Sequence, residues 1–335
     1  MSRPEDGAAR ETGPAAAAVG GAAHGAAPDV CDPPAQLKAR LAGVRALLLD
    51  MDGVVVLRGS PLPGAAEAVN ALVARGIPFR FLTNSSLWSR DTLARKLTAS
   101  GIAVGPSEIV TALSASAALA ARRWPGEPLY VLAAPDALRE FEGQRLLSHE
   151  EAAAPDGRAA AVIVGDAAEG FTYARLNTAF RLVLRGARLV AMHRNRWWLT
   201  PEGITLDSGA FVRALEFAAG RRALVVGKPS PAFFAAALDS LAAEPTPERR
   251  RTDVPAAGGS GVPAADRALA RSDVLMVGDD LQSDVAGARQ SGLRAAFVLS
   301  GKHGPLELAA ARRRGGTAVP DLVAAALSAV VAALD

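Results

Sequence analysis

The stretch LLLDMDGVVV (residues 47–56) sets two aspartates two positions apart, directly behind an apolar run. A carboxylate is costly to desolvate, so charges at the end of a buried segment call for a partner. Residues i and i+2 of an extended chain point to the same side, so Asp50 and Asp52 can face one site, and Gly53 lets the chain turn sharply after them. Three further stretches repeat the design. FLTNSS follows an apolar run with Thr83, Asn84, Ser85 and Ser86, a supply of hydroxyls, an amide and backbone N–H groups. VVGKPSPAFF ends a run with Lys228, and Ser230 and Pro231 then stand in the order of an N-cap and first helical residue. VLMVGDDLQSDVAGA ends a run with Asp279 and Asp280 and places Asp284 near the start of a helix.

Convergence of these ends would gather four negative charges, on Asp50, Asp52, Asp279 and Asp284. Two carboxylates ~4 Å apart repel by about 4 kcal/mol at an effective dielectric of about 20, so such a cluster demands a cation. All-oxygen ligation with few protein donors suits Mg²⁺. Lys228 adds a second positive charge, and ion and lysine together match an incoming phosphate dianion, with Thr83 and Asn84 left to hydrogen-bond its remaining oxygens. One carboxylate can then attack phosphorus while the other acts as general acid and base. Asp50, held at a strand end, suits the nucleophile; Asp52, on the turn, suits the acid and base.

The elements that must position these groups alternate along the chain. Short apolar runs at 46–49, 79–82, 129–132, 161–164, 188–192, 223–226, 274–277 and 295–299 read as strands. Helical patterns lie between them: 64–75 carries Val69, Leu72 and Val73 on one face, Ser89 can cap the next helix, and a last helix is expected near 322–334. Such alternation predicts an α/β fold with a doubly wound parallel sheet, in which ligands bind beyond the carboxyl ends of the strands.

Composition sets the outer limits. Half of the 335 residues are apolar and 21% are charged, which suits a packed core. The net charge is +3, and the two arginine triplets at 249–251 and 312–314 read as solvated faces, so no nucleic-acid partner is expected. A single cysteine, Cys31, excludes an internal disulfide and a cysteine zinc cage, and fits a cytoplasmic type of compartment. No run approaches the ~20 apolar residues of a membrane helix, so no membrane partner is expected either. Residues 1–40 read as a disordered Ala/Gly/Pro tail and residues 244–266, rich in Pro, Gly and charge, as a disordered surface insertion.

DMDGVV, LTNSS, GKPSP and GDDLQSD stand in the order and spacing of the four motifs of the haloacid dehalogenase (HAD)-like hydrolases, and the chain resembles that superfamily from about residue 44 onward. The long interval between Asn84 and Lys228 resembles the subclass with a large α/β cap inserted there. The resemblance implies a Rossmann-like core over 41–124 and 223–335 and a cap over 125–222. GDAAEGFTYARLNTAF and SGAFVRALEFA look like the branch containing phospholysine phosphohistidine inorganic pyrophosphate phosphatase. By this resemblance Asp50 is the residue phosphorylated, and Mg²⁺ is held by the carboxylates of Asp50 and Asp279 and the backbone carbonyl of Asp52, with Asp284 behind them. Some animal members carry Ser where this chain has Asp52, so here the general acid is present. A small phosphorylated metabolite or pyrophosphate is the expected substrate, and a homodimer through the cap the expected assembly.

HRNRWW, just after a predicted cap strand, offers His193, Arg194 and Arg196 as residues facing the leaving group, with the two tryptophans either beside them or packed in the cap core. A metal-independent dehalogenase on the same fold and a non-catalytic phosphometabolite-binding protein are the competing readings.

Overall fold

The runs ALLL, FRFLT, VLMVG and RAAFV are buried along almost their whole length, as strands covered on both faces must be. The computed structural model describes residues 30–242 and 269–334. Its strands are β1 (Ala46–Leu49), β2 (Val56–Leu57), β3 (Ser60–Pro61), β4 (Phe79–Thr83), β5 (Ile109–Thr111), β6 (Leu129–Leu132), β7 (Ala161–Val164), β8 (Arg188–Ala191), β9 (Trp197–Thr200), β10 (Gly203–Leu206), β11 (Leu224–Val225), β12 (Val274–Gly278), β13 (Arg294–Val298) and β14 (Leu322–Ala324). The α-helices are α1 (Pro34–Leu41), α2 (Ala65–Ala74), α3 (Arg90–Ala99), α4 (Ala112–Arg123), α5 (His149–Ala153), α6 (Tyr173–Leu184), α7 (Ser208–Ala219), α8 (Pro231–Ala242), α9 (Gly287–Gln290), α10 (Pro305–Arg314) and α11 (Leu327–Ala333).

Six parallel strands form the larger sheet in the order β14-β13-β12-β1-β4-β5. The chain runs outward from β1 through β4 and β5, then returns to the other side of β1 with β12. That reversal is the switch point at which open α/β sheets bind ligands. Alternate residues separate into two apolar layers. Leu48, Leu82, Met276 and Phe297 point to the face covered by α4, α8 and α9. Leu47, Leu49, Phe81 and Val277 point to the face covered by α1, α2, α3 and α11.

A second parallel sheet, β11-β8-β7-β6, lies between α4 and α8 in sequence and forms the cap. Tyr130, Leu132, Val162 and Val164 pack beneath α6 and α7. Leu129, Ile163 and Val190, from the opposite face, belong to the same apolar cluster as Leu48 and Met276 of the larger sheet.

Several elements differ from the expectations above. Residues 322–324 extend the larger sheet as an edge strand before the last helix begins at Leu327. The strand expected at 223–226, assigned to the core, pairs instead with β8 at the edge of the cap sheet. Short polar-flanked β5 and the hairpins β2–β3 and β9–β10 carry too little apolar run to be read as strands. Helix α1 occupies the end of the segment expected to be tail, held by buried Leu37 and Leu41. The rest of the expected tail, residues 1–29, and the expected insertion at 244–266 lie outside the described residues.

Candidate active site

Strands β4, β1 and β12 are neighbours, so their carboxyl ends deliver Thr83, Asp50 and Asp279 side by side. Asp50 N–H donates to the Val277 carbonyl (2.9 Å), continuing the β1–β12 ladder to the carboxylate itself. Asp284 reaches the same place from a turn of π-helix, Leu281–Ala286, that follows β12. Asp280 caps this turn by accepting from Gln282 N–H and Ser283 N–H, and its own N–H donates to Asp284 Oδ2 (3.0 Å). Asp50, Asp279 and Asp284 are buried, and each presents a carboxylate oxygen within 4.8 Å of the others. Lys228 Nζ lies 2.7 Å from Asp50 Oδ1 and 2.7 Å from Asp284 Oδ1.

Three buried carboxylates around one ammonium leave an excess of negative charge, and their proton affinities register it. Burial pushes Asp279 well above the usual carboxylate range, reinforced by Asp50 and Asp284. Burial and the Asp50 charge push Asp284 up to about 7. Asp50 also moves up through burial, restrained by Lys228. For Lys228, burial alone would depress the ammonium, but Asp284 and Asp50 outweigh it and the group moves up, so it stays charged. An all-oxygen donor set with surplus negative charge is the chemistry that accepts a hard divalent cation, so the residues fit Mg²⁺.

The backbone is shaped around this cluster. A Cβ on Gly53, whose φ is 78°, or on Gly301 would come within 1.9 Å of Asp279 Oδ2. Only glycine lets the β1 turn and the loop after β13 close on that carboxylate. Ser300 Oγ ties the two segments by donating to the Gly53 carbonyl (2.7 Å), and Lys302 N–H donates to Asp279 Oδ2. Lys302 Nζ pairs with Asp280 (2.8 Å).

Residues 83–86 form the adjoining wall. Thr83 and Asn84 are buried. Asn84 grips Lys228 through its backbone: Lys228 N–H donates to Asn84 Oδ1 (2.8 Å) and Asn84 Nδ2 donates to the Lys228 carbonyl (3.2 Å). Gly227 permits this, because a Cβ there would lie 2.5 Å from Asn84 Oδ1. Thr83 Oγ1 accepts from Ser85 N–H (3.1 Å).

Asp50, Thr83, Asn84, Lys228, Asp279, Asp280 and Lys302 line one cavity of about 480 Å³, with Asp284 buried behind them. Asp52 lines the cavity as an exposed residue whose carboxyl nonetheless lies among protein atoms. That desolvation raises its proton affinity, Lys228 opposes the rise and Asp207 adds to it.

The cap closes the cavity with residues of mixed legibility. His193 lines it and is buried, but Arg194 turns away to pair with buried Glu216, and Arg196 is exposed and does not line it. Of the tryptophans, Trp197 and Trp198 both line the cavity from hairpin strand β9. The sequence reading passed over Asp166, Asn195, Asp207 and Trp88, which also line it. Asp207 is the N-cap of α7, accepting from Ser208 N–H (2.6 Å), and such a cap is visible in sequence while its second neighbour across the cavity is not. His193 Nε2 lies 3.0 Å from Ser86 Oγ, 3.3 Å from Ser208 Oγ and 3.8 Å from Asp207, and its Nδ1 accepts from Asn195 N–H. Burial pulls the imidazole below its usual range, against the pull of Asp207 and Asp166.

Comparison with known proteins agrees with this geometry. Residues 47–146 match the haloacid dehalogenase-like hydrolase family model and residues 225–326 a HAD-hydrolase-like model. The chain is 34% identical over 270 residues to phospholysine phosphohistidine inorganic pyrophosphate phosphatase of Xenopus laevis, covering 78% of this chain and 86% of the relative. It is 32% identical over 260 residues to haloacid dehalogenase-like hydrolase domain-containing protein 2 of Homo sapiens, with the same coverages. Its fold matches the p-nitrophenyl phosphatase from Archaeoglobus fulgidus with a TM-score of 0.71 at 27% identity, over 87% of this chain and 99% of that one. The chain therefore belongs to the HAD-like hydrolases, in their NagD-like subfamily of phosphatases.

Proposed function

We propose that the protein is a Mg²⁺-dependent phosphatase that hydrolyses small phosphate monoesters or pyrophosphate through a phosphorylated Asp50. The observation that carries this is the buried constellation of Asp50, Asp279 and Asp284 around Lys228, at the switch point of the sheet. Asp50, Asp279 and the Asp52 carbonyl would hold the ion, with Asp284 steadying the cluster and Lys228. The ion supplies charge neutralisation for the phosphoryl oxygens.

Asp50 attacks phosphorus in line, the bond to the leaving oxygen breaks, and Asp52 gives its proton to that oxygen. Its raised proton affinity suits a group that must carry a proton at neutral pH. Asp52, now ionised, takes a proton from water as the water attacks the aspartyl phosphate. Orthophosphate leaves and Asp50 is restored. Lys228, Thr83 and the backbone N–H of Asn84 hold the phosphoryl oxygens throughout, the Asn84 amide being engaged with the Lys228 backbone. His193 faces the cavity from the cap and acts on leaving-group orientation, whereas Arg194 and Arg196 take no part in that. The relatives' names, a pyrophosphate phosphatase and a p-nitrophenyl phosphatase, support small substrates.

The test is phosphate release from p-nitrophenyl phosphate with Mg²⁺ and with chelator. Hydrolysis that survives chelation, or survives intact in Asp50→Asn, ends the proposal. The same reading carries the expectation of a cap-mediated homodimer, which a monomer mass in sedimentation would exclude.

A further inference from the structure

The cavity continues past the groups that face phosphorus. It runs between the β2–β3 hairpin and one face of α3, over Leu57, Trp88, Leu93 and Leu97, with Arg58 and Lys96 along it. Charge is segregated along its length. The acids that line it belong to the core loops and the cap seam, and none comes from the hairpin or α3. The cations at the acidic end are spoken for: Lys228 pairs with Asp50 and Lys302 with Asp280. Among the described residues Arg58 and Lys96 have no carboxylate partner; Lys96 lies over the Trp88 ring, 4.4 Å from its centroid.

The supports of these two cations differ. Helix α3 is pinned at its start, where Ser89 N–H donates to Asp136 Oδ2 (2.7 Å) and Arg90 pairs with Glu140 (3.1 Å). Arg58 occupies the two-residue hairpin tip with φ 51°, followed by Gly59 at 78°. Asn-Gly is the favoured pair for such a turn, so an arginine there adopts its conformation at a steric cost.

We propose that this arm of the cavity is a leaving-group subsite selecting an elongated, apolar or aromatic phosphate monoester that ends in a second anionic group, held by Arg58 and Lys96. The inference rests on the phosphatase reading above. The body of such a substrate lies on the half-buried Leu57, Leu87 and Trp88. An α-helix rises ~1.5 Å per residue, so Lys96 stands roughly 9 Å along α3 from its first residue, placed for the far end of a long substrate. Guanidinium and ammonium groups without carboxylate partners are the natural receptors of a carboxylate or phosphate at that end.

The experiment measures kcat/KM on full-length protein with Mg²⁺ for three probes: p-nitrophenyl phosphate, 4′-methylbiphenyl-4-yl phosphate and 4′-carboxybiphenyl-4-yl phosphate. The expected result is a preference of about ten-fold for the carboxylate over its methyl counterpart, one charge-assisted contact's worth, expressed mainly in KM. In the R58E/K96E double variant that ratio falls to one or below, and in Arg58→Ala it falls part of the way. Equal rates on the two biphenyls, or a ratio that survives charge reversal, overturn the subsite while leaving the phosphatase intact. Failure to hydrolyse any of the three, p-nitrophenyl phosphate included, overturns both.

Discussion

The two walls of the cavity are built on opposite principles. The core wall is dense in charge and drawn from strand ends: Asp50, Thr83 and Asp279 leave adjacent strands, and Lys228 is clamped through its backbone by Asn84. The cap wall holds its polar groups by side-chain bonds among neighbours, as in the Ser86–His193–Ser208 contacts, and presents tryptophans on a short hairpin. Strand ends have few degrees of freedom, so the core can set reacting atoms within tenths of an ångström. Loops and hairpins vary without disturbing a core, so on the proposed reading choice of leaving group falls to the cap and to the β2–β3 hairpin. Substitutions at the strand ends should therefore move kcat, and those on the cap wall or the β2–β3 hairpin should move KM.

The sharpest division comes from the proposed nucleophile. Asp50→Asn is expected to lose roughly 10⁴-fold or more of kcat, the scale seen when a covalent nucleophile is removed; residual turnover near wild type would dissolve the contrast. Asp52→Asn should cost about 10²–10⁴-fold. That loss should be greater for an alkyl phosphate than for p-nitrophenyl phosphate, whose leaving group needs less protonation. Mg²⁺ at about 100 times its dissociation constant should stabilise the fold by about 2.7 kcal/mol in a thermal melt, and the gain should vanish in Asp279→Asn. Trp198→Ala on the cap wall should raise KM several-fold with kcat nearly unchanged; an equal fall in kcat would place the hairpin among the reacting groups.

The smallest effect is a pH slope. His193 is a base whose affinity for protons is lower folded than unfolded, so below the unfolded value, near 6.5, the unfolded chain binds more protons. Stability from the neutral imidazole is thus present above that pH and lost as pH falls through and below it. His193→Gln should flatten the decline in melting temperature between pH 7 and 5, and an unchanged slope would show that the decline arises elsewhere.

Legibility in the sequence follows the same division. Asp50, Asp52, Lys228 and Asp279 stand directly behind apolar runs, where burial makes a charge conspicuous, and their chemistry can be written down before any folding. Asp207 and Asp166 are conspicuous only after the cap sheet is stacked against the 83–86 loop, because each looks locally like an ordinary cap or turn residue. Arg194 misleads in the opposite sense: its neighbour His193 faces the cavity, yet the guanidinium finds Glu216, twenty-two positions away on α7. The cap strand β11 is ambiguous for a related reason, since two residues of ladder end just ahead of the loop that carries Lys228. Adjacency in sequence ties it to the core, and hydrogen bonding ties it to the cap.

The apolar cluster that contains Leu129, Ile163 and Val190 of one sheet with Leu48, Leu82 and Met276 of the other has a thermal consequence. Two bodies sharing one oily interior have no independent reason to melt apart, so calorimetry should record a single endotherm. A fragment carrying the cap by itself would bare that shared face to water and come out of solution.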